Sequence, residues 1–162
     1  MDETIEHLVK NVDGFTEESG SLLRDMMNEA YPLAQIDPTE NDFARVADVS
    51  LPDEGDRHVL AAAIAADTDI ICTANTKDFP AAITSSFDLE VLTPDELLVL
   101  LISSYPEKRL NVHQMTIERL PNATNESTIN ALKQAGSLHT SELMRFLLEH
   151  DPWEPGSPEA AS

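Results

Sequence analysis

Carboxylates stand at both ends of one stretch of this chain, LPDEGDRHVLAAAIAADTDIICTANTKDFP, residues 51–80. Asp53 and Asp56 open an alanine-rich helical pattern. Thr73, Asn75 and Asp78 leave a short apolar run, Ile70–Thr73. Converging acids of this kind can hold a hard divalent cation, which takes oxygen ligands. They can equally do plain structural work. Asp53 and Asp56 have the spacing of a helix N-cap and an acidic third position, both favoured by the helix dipole. Asn75 and Asp78 can close a turn by bonding the nearby backbone. His58, alone in a first helical turn, reads as an ordinary surface residue.

Placement favours the chemical reading. A crossover helix runs antiparallel to the strands it joins, so it begins on the side where the next strand ends. In open parallel sheets that carboxyl edge is where ligands bind. Asp56 and Asp78 are therefore expected to approach one another there.

The elements around this stretch alternate between helix and strand, which argues for an α/β layer with parallel pairing. Helices are expected over residues 2–12 and 16–30, the second weakened by Gly20. A strand is expected at Tyr31–Ile36 and a short one at Val46–Val49, inside an otherwise loop-rich acidic stretch from Asp37 to Asp56. A helix over 54–66, a buried strand at Ile70–Thr73 and another at Leu89–Leu92 follow. Thr93-Pro94-Asp95-Glu96 carries every signal of a helix start: an N-cap, a proline at the first position and a capping box. Beyond Tyr105-Pro106 three helices are expected, over 106–120, 125–135 and one capped by Thr140, with Gly136 closing the second. Residues 151–162, with three prolines, read as a disordered tail.

The bulk composition sets limits on partners. Of 162 residues, 30 are acidic and 10 basic, a net charge of −20. That field repels nucleic acid at long range, so a polyanion needs a local cation or a bound metal. Solubility alone is the other use of such a charge. Cys72 is the single cysteine, which precludes an internal disulfide; it reads as a small buried hydrophobe. The start has neither the basic nor the apolar region of a signal peptide, and no apolar run approaches a bilayer span. A cytoplasmic protein with no membrane partner is the expectation.

The segment DRHVLAAAIAADTDIICTANTKDFP resembles the second half of a PIN domain, the fold of VapC-type toxin ribonucleases. That family shows an aspartate opening an alanine-rich helix, an apolar strand, and then Thr-x-Asn-x-x-Asp-Phe. Asp56 and Asp78 match its acids, Thr73 and Asn75 the polar residues between. Asp53 matches an extra acid of the subgroup reading Asp-x-x-Asp-Arg-His. LEVLTPDELL resembles the family's last strand and helix, and residues 106–150 resemble the carboxyl-terminal helical extension of a PIN subgroup. MDETIEHLVKN resembles the helix carrying an early glutamate, with Glu3 the matching position.

The resemblance implies a three-layer α/β domain with a mostly parallel sheet over 1–104, a helical extension over 105–150, and the tail. It implies a Mg²⁺- or Mn²⁺-dependent endoribonuclease, the toxin of a toxin–antitoxin pair. Asp56 and Asp78 would hold the metal, Asp53 and Glu3 would assist, and Thr73 and Asn75 would orient Asp78 or the attacking water. Arg57 and Lys77 would contact RNA phosphates, or serve as ordinary surface charge. A small antitoxin and a second copy of the chain are the implied protein partners. PIN domains open with a central strand bearing an aspartate, and only Met1 and Asp2 precede Glu3. The expectation is therefore a domain lacking that strand and one carboxylate. An upstream start, a strand donated by a partner, or an inactive remnant kept for binding would each account for it.

Overall fold

The computed structural model describes residues 2–150, with side chains from residue 5 onward. The side chain of Glu3 and the tail from residue 151 lie outside the described residues. Within that range the chain is rich in helix and carries a two-stranded parallel sheet. It forms two compact units, residues 2–48 with 57–67, and residues 49–56 with 68–150.

In the first unit α1 (Asp2–Asn11) packs on α2 (Glu17–Ala30). Gly14, at φ +81°, turns the chain between them, a left-handed position that suits glycine. Thr16 caps α2 by accepting from the Ser19 N–H at 3.2 Å. Gly20 costs α2 intrinsic helicity, and packing explains its presence. A Cβ there would overlap Cγ2 of the buried Ile5 on α1. Glycine lets the two helices approach.

Tyr31–Ile36 is not a strand. Tyr31, Pro32, Leu33 and Ala34 make a turn closed by Ala34 N–H to Tyr31 C=O at 3.0 Å, and Leu33 is 88% exposed. Val46–Val49 is not a strand either. It follows a short helix, α3 (Glu40–Arg45), inside the stretch expected to be loop. Thr39 and Asp42 cap α3 reciprocally: Thr39 N–H donates to the Asp42 carboxylate at 2.9 Å and Asp42 N–H to the Thr39 hydroxyl at 3.4 Å. α4 (Arg57–Ala65) packs on α3. Val46, Leu60 and Ala61 are fully buried.

In the second unit β1 (Ile70–Cys72) pairs in parallel with β2 (Glu90–Leu92), Ile71 opposite Val91. Between them lie α5 (Ala81–Thr84) and a reversal at Asp88, at φ +57°. Ile71 is buried, but Cys72 is exposed, contrary to its reading as a core residue. Alternation along the strand turns its side chain away from the face that Ile71 buries.

α6 (Pro94–Ser104) starts as its sequence requires. Thr93 N–H donates to Glu96 Oε2 at 2.8 Å, and Glu96 N–H to the Thr93 hydroxyl at 3.2 Å. α7 (Pro106–Arg119), α8 (Asn125–Gln134) and α9 (Leu138–His150) follow. α8 ends with Gly136 at φ +90°. Gly136 N–H reaches Lys133 C=O at 3.1 Å and Ser137 N–H reaches Leu132 C=O at 3.0 Å, two bonds that satisfy the last carbonyls of the helix. α9 packs along α6 and α8, burying Ile129, Met144 and Leu147 with Leu132 and Leu143 against them. Full burial of each such side chain contributes about 1.5–3 kcal/mol.

Thr140 does not cap α9; it lies inside the helix. The cap comes from Asp95 on α6. Its carboxylate accepts the N–H groups of His139 (3.0 Å) and Thr140 (2.8 Å), the Thr140 hydroxyl (2.7 Å) and Nδ1 of His139 (2.8 Å) when that nitrogen carries a proton. Burial works to raise the Asp95 pKa. The donors of Thr140 and His139 outweigh it and hold the carboxyl well below the usual carboxylate range.

Two outcomes follow from this packing. Asp95→Ala is expected to cost about 2 kcal/mol in urea unfolding, as an N-cap with additional hydrogen bonds. Because the folded-state pKa is depressed, the contribution is complete above the unfolded value of about 3.9 and fades as pH falls below it. The stability gap between wild type and Asp95→Asn should thus be constant above about pH 5 and narrow towards acid. Gly20→Ala should destabilise by about 1–3 kcal/mol despite alanine's better helix propensity, because the Ile5 methyl must move. Ile5→Ala in the same chain should relieve part of that loss, measured as a double-mutant cycle.

Candidate functional site

The end of β1 is built from short-range hydrogen bonds. Thr73 leaves the strand with its N–H still paired to Leu92 C=O at 2.9 Å, and its hydroxyl accepts the Asn75 N–H at 3.1 Å. Asn75 C=O accepts the Asp78 N–H at 3.2 Å, which closes a 3-10 turn over Thr76–Asp78. The Asn75 side-chain amide donates to Oδ2 of Asp78. Three residues named from the sequence are thus joined in one loop at the carboxyl end of a parallel strand. Phe79, which follows the loop, is buried at 4% exposure. Asp78 and Thr73 are half-buried, whereas Asn75 and Lys77 are exposed.

Asp53 and Asp56 share a second 3-10 turn, Glu54–Asp56. Asp53 Oδ1 accepts the Gly55 N–H at 2.7 Å, and its carbonyl accepts the Asp56 N–H at 3.2 Å. Asp53 therefore caps this turn rather than α4. Asp56 ends its turn half-buried, as Asp78 ends the other. Both aspartates belong to the second compact unit.

The remaining candidates lie in the first unit. The backbone of Glu3 is on α1. Arg57 opens α4, and its guanidinium donates to the carbonyls of Val46 and, at 3.4 Å, Ala47. It ties the end of α3 to the start of α4. His58 is exposed.

The donors fit a hard cation by type: the side chains of Asp53, Asp56 and Asp78 offer only carboxylate oxygen. Mg²⁺ commonly uses one or two carboxylates and keeps several waters. Among the described residues no three His, Cys, Asp or Glu side chains gather closely enough to enclose an ion. The arrangement at β1 can orient a carboxylate: the Asn75 amide holds Oδ2 of Asp78 and leaves Oδ1 to other partners.

Asp95 is the carboxylate that sequence reasoning placed in a helix start and nowhere else. Its partners are 44 and 45 positions away, and no local pattern announces them.

Removing the Asn75 amide tests how the loop is held. Asn75→Ala should leave global stability within about 1 kcal/mol, as befits one exposed hydrogen bond. Amide hydrogen exchange at Asp78 and Phe79 should nevertheless accelerate, because the bond between the two side chains staples the turn. Exchange unchanged from wild type would mean that the backbone bonds alone hold it. No protein-family model, curated protein or solved structure matches this chain.

Proposed function

We propose that this chain is a PIN-like endoribonuclease dependent on Mg²⁺ or Mn²⁺, of the toxin type. The observation that carries the reading is the Thr73–Asn75–Asp78 loop at the carboxyl end of a strand in a parallel pair. An aspartate oriented by an amide, on the edge where parallel sheets bind ligands, supports a carboxylate placed to hold a cation there.

In this reading Asp56 and Asp78 hold the metal, with Asp53 and Glu3 as supporting acids. The ion, when bound, supplies a Lewis acid for the phosphodiester and a water of lowered pKa. Asn75 fixes the rotamer of Asp78 and Thr73 fixes Asn75, so the carboxylate meets its partner already oriented. Lys77 stands exposed beside Asp78 and offers a local cation to an RNA phosphate, against the field of a chain with net charge −20. Arg57 would add to that attraction through charge alone, its guanidinium being engaged by backbone.

A second reading makes the chain a catalytically inactive PIN remnant that binds another protein, such as a small antitoxin or a second copy. An open apolar groove among α6, α7, α8 and α9 favours it. No helix of the described residues is long and apolar enough to cross a membrane.

Cleavage of single-stranded RNA separates the two. The nuclease reading expects cleavage with Mn²⁺ or Mg²⁺, none with a chelator, and a fall of about 100-fold or more in Asp56→Asn and in Asp78→Asn. Cleavage at the wild-type rate in both variants would dismiss these acids as its source. No cleavage by wild type with either metal would favour the binding module.

A further inference from the structure

The groove has features that its apolar character alone does not explain. It encloses about 460 Å³. Met144 and Thr140 of α9 lie buried at its floor, and Leu132 of α8 lines it. Leu101 and Tyr105 from α6 and the chain just after it, with Val112 of α7, form its lip. These are 43%, 49% and 59% exposed. His113 Nε2 and Asn125 Oδ1, 3.1 Å apart, tie α7 to the start of α8.

The charge of its lining is the reverse of the charge of the chain, the acids of α7, Glu107 and Glu118, falling outside that lining. Acids outnumber bases 30 to 10 overall, yet among the described residues lining the groove none is acidic, while Lys108 and Arg109 both line it. Lys108 is positioned there: its Nζ stands 5.5 Å from the centre of the Tyr105 ring, a cation–π contact on the lip itself.

The apolar surface also runs past the hollow. On α7 the residues Lys108, Val112, Met115 and Arg119 recur at helical spacing and are all exposed. Two apolar side chains are thus bracketed by two cations along about 16 Å of helix. An acyl chain could fill the hollow but would leave Met115 and Arg119 uncovered. A second copy set groove to groove would bring the like charges of Lys108 and Arg109 from both copies into one interface with no lining acid to meet them. An amphipathic helix of about three turns covers the hollow, the lip and the stripe at once, by the helix-in-groove mode.

We propose that this groove is a docking site for a helical segment of a partner protein whose apolar stripe is flanked by carboxylates. The inference stands on α6–α9 and does not require the chain to be a nuclease.

A displayed library of helical peptides of about 16 residues, with leucines fixed along one stripe and the flanking positions randomised among Glu, Gln and Lys, tests it directly. Selection on the full chain should enrich glutamate at both flanks. Val112→Asp, at an exposed position, should weaken the selected peptides at least tenfold while circular dichroism stays unchanged. Lys108→Glu with Arg119→Glu should redirect selection to lysine flanks. The proposal is overturned if no peptide is enriched, if the flanks show no charge preference, or if binding is indifferent to Val112→Asp. It is equally overturned if sedimentation shows a dimer of the chain that Val112→Asp dissolves, or if palmitate displaces the peptides by filling the hollow with higher affinity.

Discussion

The helical layer of the second unit depends on a carboxylate that one helix lends to another. α9 begins with backbone N–H groups that no residue of its own turn satisfies, and Asp95 of α6 meets those of His139 and Thr140. The bond does more than cap. It fixes where α9 starts against α6, and with it the positions of Met144 and Leu147 in the core and of Thr140 at the groove floor. Burying an anion is unfavourable unless its lone pairs are used. Here hydroxyl, ring and backbone donors all converge on it, so the ionised form is the one the fold selects.

The candidate site is held by a different kind of bond. Thr73, Asn75 and Asp78 are linked within six residues, between the end of β1 and the buried Phe79. Such a loop presents polar groups at the carboxyl end of the strand, half-buried at Thr73 and Asp78 and exposed at Asn75, the usual relation between a scaffold and the loops it carries.

Several helix ends were legible because their chemistry is local. Thr93 and Glu96, Pro94 and Gly136 each do what their type and spacing require. The Thr39–Asp42 box was equally local, but it stood in an acid-rich stretch whose composition suggested a loop, and the short α3 was missed. The apolar run from Tyr31 to Ile36 misled for another reason. Apolar composition says that a segment can be buried, and only tertiary packing says whether it is. Thr140 has a good capping side chain, yet the actual cap is Asp95, and a partner 45 positions away leaves no periodic trace. At the end of β1 the turn that Asn75 and Asp78 can close was readable, because its bonds are short-range. Gly20 looked like a weakness of α2 because the Ile5 methyl that demands it is on another helix.

The clasp of Arg57 on Val46 and Ala47 bears on how the first unit holds together. α3 has six residues, too few for a helix to persist alone in water. The carbonyls of its cap residue Val46 and of Ala47 beyond it accept from a guanidinium, and that guanidinium belongs to the first residue of α4. The start of α4 thus braces the end of α3 within the first unit. In so acidic a chain, cations at a helix carboxyl terminus also offset crowding by negative charge: α3 keeps Glu40 and Asp42 at the end where the dipole welcomes them, and has its own Arg45 and the guanidinium of Arg57 at the other.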